Sequence, residues 1–77
     1  MEIDYDRIDD FTLALLFLVT SESRHGARAW KSFDWDTMDR LHKKGYISDP
    51  KGKAKSVVIY EEGLSRAKEL FEHFFGT

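Results

Sequence analysis

The sequence predicts an α+β fold in the order helix, short segment, helix, β-hairpin, helix. Three observations carry that prediction. Residues 6–20 and 63–75 both repeat apolar side chains at helical spacing. Gly45 stands where a helix around Trp35, Met38 and Leu41 would end. Asp49, Pro50 and Gly52 hold the first, second and fourth positions of a type I turn, with extended-type residues on both sides.

The first helix carries two apolar faces. Ile8, Phe11, Leu15 and Leu18 or Val19 line one; Leu13, Leu16 and Phe17 line the other. Either this helix is central to the fold or its second face meets another chain. The carboxylates at its start suit the positive end of a helix dipole. Residues 21–32 begin as a loop, and residues 27–31 either form one or two helical turns or stay irregular. Asp34 is the expected N-cap of the second helix, whose stripe is Trp35, Met38, Leu41 and His42. Residues 46–48 enter the turn and 55–60 leave it, with Val57 and Ile59 on one face and Val58 and Tyr60 on the other. The last helix carries Leu64, Ala67, Leu70, Phe71, Phe74 and Phe75, a payload that should dock it on the first.

The chain has 77 residues, enough for a single domain over 1–77, and six Phe, three Tyr and two Trp to fill a core. Without cysteine, it has neither disulfides nor a thiolate zinc site. Its longest apolar run, residues 13–19, is far shorter than the roughly 18–20 residues a membrane span needs. A cytoplasmic protein is the expectation.

Net charge is −2, unevenly spread. Residues 1–23 carry −5, residues 24–55 carry +5 and residues 56–77 carry −2. Lys51, Lys53 and Lys55 alternate, so on an extended strand all three would point one way. Arg40, Lys43 and Lys44 precede them on the second helix. Together these six are the candidate nucleic-acid-binding residues, through phosphate contacts without sequence preference. Asp36 and Asp39 stand against base readout by that helix, because carboxylates repel phosphate.

The remaining candidates are weaker. Trp30, Phe33, Trp35 and Tyr46 could form a partner surface, but the favoured reading places most of these rings in the core, with Trp30 the exposed one and the candidate partner-binding residue. His25, His42 and His73 are scattered, and His42 reads as a packed, hydrogen-bonded side chain. The serines lack a nucleophile motif, and Asp4, Asp6, Asp9 and Asp10 lack the pattern of a calcium loop. No enzyme, cofactor or metal is expected.

Two resemblances follow from particular residues. Residues 41–47, Leu-His-Lys-Lys-Gly-Tyr-Ile, resemble the end of the recognition helix in winged-helix DNA-binding domains. Residues 57–64, Val-Val-Ile-Tyr-Glu-Glu-Gly-Leu, resemble that family's second wing strand running into its final helix. The family's capping Thr is replaced by Tyr60, which implies a helix start without a hydroxyl cap. Ile8–Asp9–Asp10, Ala29–Trp30–Lys31, Phe33–Asp34–Trp35–Asp36, Leu41–His42, residues 45–50 and residues 53–57 resemble, over nearly the whole chain, a small bacterial family known only as a domain of unknown function. That resemblance implies bacterial origin and no particular activity. Two functional readings remain: a weak nucleic-acid-binding or transcription-associated protein acting through a basic wing, or a protein–protein adaptor that keeps the scaffold without binding DNA. A homodimer closing the surplus apolar surface is as well supported as two helices that simply bury each other.

Overall fold

The computed structural model describes residues 1–77. It is α+β, with three helices and a three-stranded antiparallel sheet. Helix α1 (Tyr5–Leu18) starts where Asp4 accepts a hydrogen bond from the Arg7 amide at 3.0 Å. Strands β1 (Thr20–Ser23) and β2 (Gly26–Trp30) form a hairpin. Helix α2 (Trp35–Lys43) follows, then β3 (Ser56–Ile59) and α3 (Glu61–Phe75). The strand order is β1-β2-β3.

The segment read as helical turns or irregular chain is therefore a strand over Gly26–Trp30. Ala27 and Ala29 are buried while Arg28 and Trp30 face out, a period of two. Ala and Arg favour helix in isolation, but two buried methyls against the core and ladders on both edges outweigh that weak preference. The turn before β2 is closed by Gly26, at φ 113°, and by the Ser23 hydroxyl accepting from the His25 amide at 3.1 Å.

The second correction concerns the hairpin after α2. Residues 46–48 do meet residues 58–60, but only through one bridge, Ile47 with Ile59, and three bonds. The Ser48 amide donates to Val58 O at 2.9 Å, the Val58 amide to Ser48 Oγ at 2.9 Å and the Tyr60 amide to Tyr46 O at 3.0 Å. The main partner of β3 is β2, from Ala27 opposite Ile59 to Trp30 opposite Ser56. Residues 50–55 are turns and bends, so Lys51, Lys53 and Lys55 do not share one strand face.

The other element expectations hold closely. Asp34 caps α2, accepting from the Thr37 amide at 3.1 Å. Gly45 takes φ 82° just beyond the helix. Helix α3 starts at Glu61, with Tyr60 as N-cap and no side-chain cap bond.

One core joins α1, β2, α2, β3 and α3. It comprises Leu13, Ala14, Leu16, Ala27, Ala29, Met38, Leu41, Ile47, Val57, Ile59, Ala67 and Leu70. Helix α3 docks on α1 as its Phe content implies: Phe11 stacks on Phe74 at 4.1 Å and Phe17 meets Phe71 at 5.3 Å. The mid-chain aromatics bring a third correction. Trp30 is exposed as expected, at 57 %, and Tyr46 packs against the core, but Trp35 is 54 % and Phe33 36 % exposed. The space expected for those two rings is taken by aliphatic side chains and alanines.

Candidate binding surface

Three of the six expected phosphate-binding cations lie on or just past α2, and each already faces a carboxylate. Arg40 Nε donates to both oxygens of Asp9, at 2.9 and 3.1 Å, while its Nη2 donates to Thr37 Oγ1 at 3.0 Å. Its guanidinium also lies over the Tyr5 ring, 4.9 Å from the centroid. Lys44 Nζ sits 2.9 Å from both Asp6 and Asp9. Lys43 pairs with Asp39 at 3.0 Å. Asp9 is only 1 % exposed, so two cations hold a buried carboxylate and fasten α2 to α1.

The titration behaviour follows this geometry. Partial burial works against the Lys44 ammonium, but its hydrogen bonds to Asp9 and Asp6, with their charges, outweigh it and raise its pKa. The Lys43 hydrogen bond lowers the pKa of Asp39; burial opposes it, and the charges of Lys43, Lys51 and His42 add to the lowering. Asp39 thus feels both α2 and the 51–55 loop. The Asp39 carboxylate, paired with Lys43 and within the field of Lys51, interrupts the continuous basic face that the sequence suggested.

The loop cations differ. Lys51, Lys53 and Lys55 are exposed and make no ion pair. Lys31 anchors their loop, its Nζ donating to Pro50 O at 2.8 Å and to Gly52 O. Pro50 is buried beneath it. At the root of the loop, the Lys31 amide donates to Lys55 O at 3.2 Å, which carries Lys55 to the end of β2.

There a shallow cleft opens, lined by Val19, Ser21, Arg28, Ala29, Trp30, Lys55 and Ser56. Arg28 is held across the ladder, with Nε 2.8 Å from Ser56 Oγ and Nη2 3.1 Å from Ser56 O. The cleft therefore joins two cations, two serine hydroxyls and an exposed indole, and no carboxylate lines it. Such a lining can bond an anion's oxygens and stack a flat ring beside them.

The histidines do not converge. His42 Nδ1 lies 3.0 Å from Ile47 O, the packed and bonded role its stripe position implied. His25 is in the first hairpin turn, and His73 packs against Phe74. No group of three or more His, Asp or Glu residues is placed to hold a metal ion. No helix is long and apolar enough to cross a membrane.

Comparison with known proteins places the chain. The family described as "Domain of unknown function (DUF6429)" matches residues 4–77. The chain belongs to this family. It is also similar to an uncharacterized protein, y4hR, of Sinorhizobium fredii (strain NBRC 101917 / NGR234), with 55 % identity over 75 residues, 97 % of each chain. No solved structure matches it. In this DUF6429 chain the structure adds Arg28, Ser21 and Ser56 to the surface residues the sequence offered. Arg28 stays hidden while residues 27–31 are read as helical turns or irregular chain rather than as a strand. The signal that exposes it is the alternation of small and large residues in Gly-Ala-Arg-Ala-Trp, which fits a half-buried strand.

Proposed function

We propose that this DUF6429 chain is a non-enzymatic binding module that takes a nucleic-acid backbone on the outer face of its sheet. The observation behind this reading is the carboxylate-free cleft of Arg28, Lys55, Ser21, Ser56 and Trp30. Arg28 and Lys55 meet phosphates, the hydroxyls bond further oxygens, and Trp30 stacks a base. Lys51 and Lys53 extend the positive field along the neighbouring loop. An unpaired strand suits this arrangement, because a base in a duplex cannot reach the indole without leaving its stack. Binding is weak and indifferent to sequence, since nothing in the cleft reads base edges.

A winged-helix mode of DNA docking has less support. The first hairpin occupies the place of a second helix before α2, and the outward residues at the start of α2 include Asp36 and Asp39. Arg40, Lys43 and Lys44 belong to this proposal only as background charge. The second reading, a protein–protein adaptor, is favoured by the exposure of Trp35 and Phe33, which lie outside the cleft.

A fluorescence titration separates the two. In a Trp35→Phe chain, Trp30 is the sole indole; an oligothymidine should quench it at low salt, with affinity falling as salt rises. A site neutralising two phosphates gives a log–log slope of about −1.4. Arg28→Glu with Lys55→Glu should abolish the quenching. Absence of binding at low salt overturns the nucleic-acid reading.

A further inference from the structure

We propose that α1 pairs antiparallel with α1 of a second copy of this chain, through an apolar stripe on which α3 covers Phe11 and leaves Ile8, Leu15 and Leu18 exposed. Its basic end is the Arg28–Lys55 side of the cleft, so the dimer and a bound nucleic acid compete for those two cations. Ile8, Phe11, Leu15 and Leu18 recur at intervals of three, four and three, the seam that two paired helices interlock. Leu13, Leu16 and Phe17 face inward, which leaves Ile8 38 %, Leu15 38 % and Leu18 64 % exposed. Phe33 and Ile3 form the further walls of a groove along Ile8, Phe11, Thr12 and Leu15. A ridge beside a groove is self-complementary: the ridge of one copy fills the groove of the other around a two-fold axis.

Area and charge both favour a second copy. A standard interface takes about 800 Å² from each partner, more than half of it apolar, and six large apolar side chains, Ile3, Ile8, Leu15, Leu18, Val19 and Phe33, stand exposed along this face. The stripe begins among Glu2, Asp4 and Asp6, with Arg7 beside them and Lys44 paired to Asp6, and ends at Val19, beside Arg28 and Lys55. A parallel pair would bring two acidic starts together. The antiparallel pair separates them by the helix length, about 21 Å for 14 residues and well beyond a Debye length. It also turns each acidic start toward the partner's basic end.

Light scattering at micromolar concentration should report twice the 9.0 kDa chain mass. Leu15→Glu and, separately, Leu18→Lys should return the monomer with unchanged circular dichroism; both side chains are exposed, so the fold tolerates them. Orientation is read by cross-linking, because the chain has no cysteine of its own. Thr12→Cys, near the middle of the seam, should join to itself when oxidised by glutathione disulfide, and Asp4→Cys should not. A monomer at every concentration overturns the proposal and leaves the stripe to a different protein. Stronger cross-linking of Asp4→Cys than of Thr12→Cys overturns the antiparallel arrangement.

Discussion

At the scale of single residues, Asp9 carries more than its place in an acidic run suggests. It is buried, while Arg40 and Lys44 keep 27 % and 34 % of their side-chain surface and can return to water. Asp9→Ala should therefore cost about 2–3 kcal/mol, below the 3–5 typical of a buried pair broken to leave a stranded charge. Arg40→Met should cost less, because Lys44 still holds the carboxylate. Urea denaturation of both variants checks that order. Lys44 adds a pH dependence. Its folded pKa is raised, so its contribution is complete below the ordinary 10.5 and is lost as pH climbs through the folded value. Wild-type melting temperature should then fall more steeply above pH 10.5 than that of Lys44→Met. Asp39 has the opposite sign: its depressed pKa makes a contribution present above 3.8 and lost in stronger acid. In Lys43→Met, a carboxyl NMR titration of Asp39 should move back toward 3.8.

Between elements, Gly63 sets a packing distance. A Cβ there would collide with the carbonyl of Tyr46, the same carbonyl that accepts from the Tyr60 amide. The first turn of α3 thus rests on the backbone of residues 46–48 and holds them against β3. Gly63→Ala should destabilise by roughly 1–3 kcal/mol, as overpacking of a close contact does. Amide exchange should quicken at Ser48 and Tyr60 before it does at Leu13. This is the physical content of the Glu-Glu-Gly motif, which in the sequence shows only as a resemblance. The helices were legible because capping and periodicity are local: Asp34, Gly45 and the Phe-rich stripe needed nothing beyond their neighbours. The sheet was harder to see, because its ladders join residues 27–30 to 56–59, and Gly26 and the two alanines weaken the strand preference of β2, leaving only a short alternation to show it. The cleft inherits that difficulty. Lys55 and Trp30 could be named from the sequence, but their meeting depends on the long-range pairing.

For the whole molecule, charge and apolar surface are sorted by place rather than by total. A net of −2 hides an ion-paired α1–α2 seam and a sheet face whose cations stay free. Salt should therefore act in two ways. It should weaken any polyanion binding steeply, while barely changing the melting temperature, because the Asp9 cluster is sheltered. Parallel titration and melting series in rising sodium chloride test that contrast.

The contact between α1 and α3 has a consequence for the order of events during synthesis. Helix α1 finds its main cover, Phe71, Phe74, Ala67 and Leu70, in α3, which emerges later. Until α3 emerges, Leu13 and Leu16 lack most of their shelter, and the nascent chain cannot commit to its native state. A truncation ahead of Glu61 should yield a collapsed, aggregation-prone fragment.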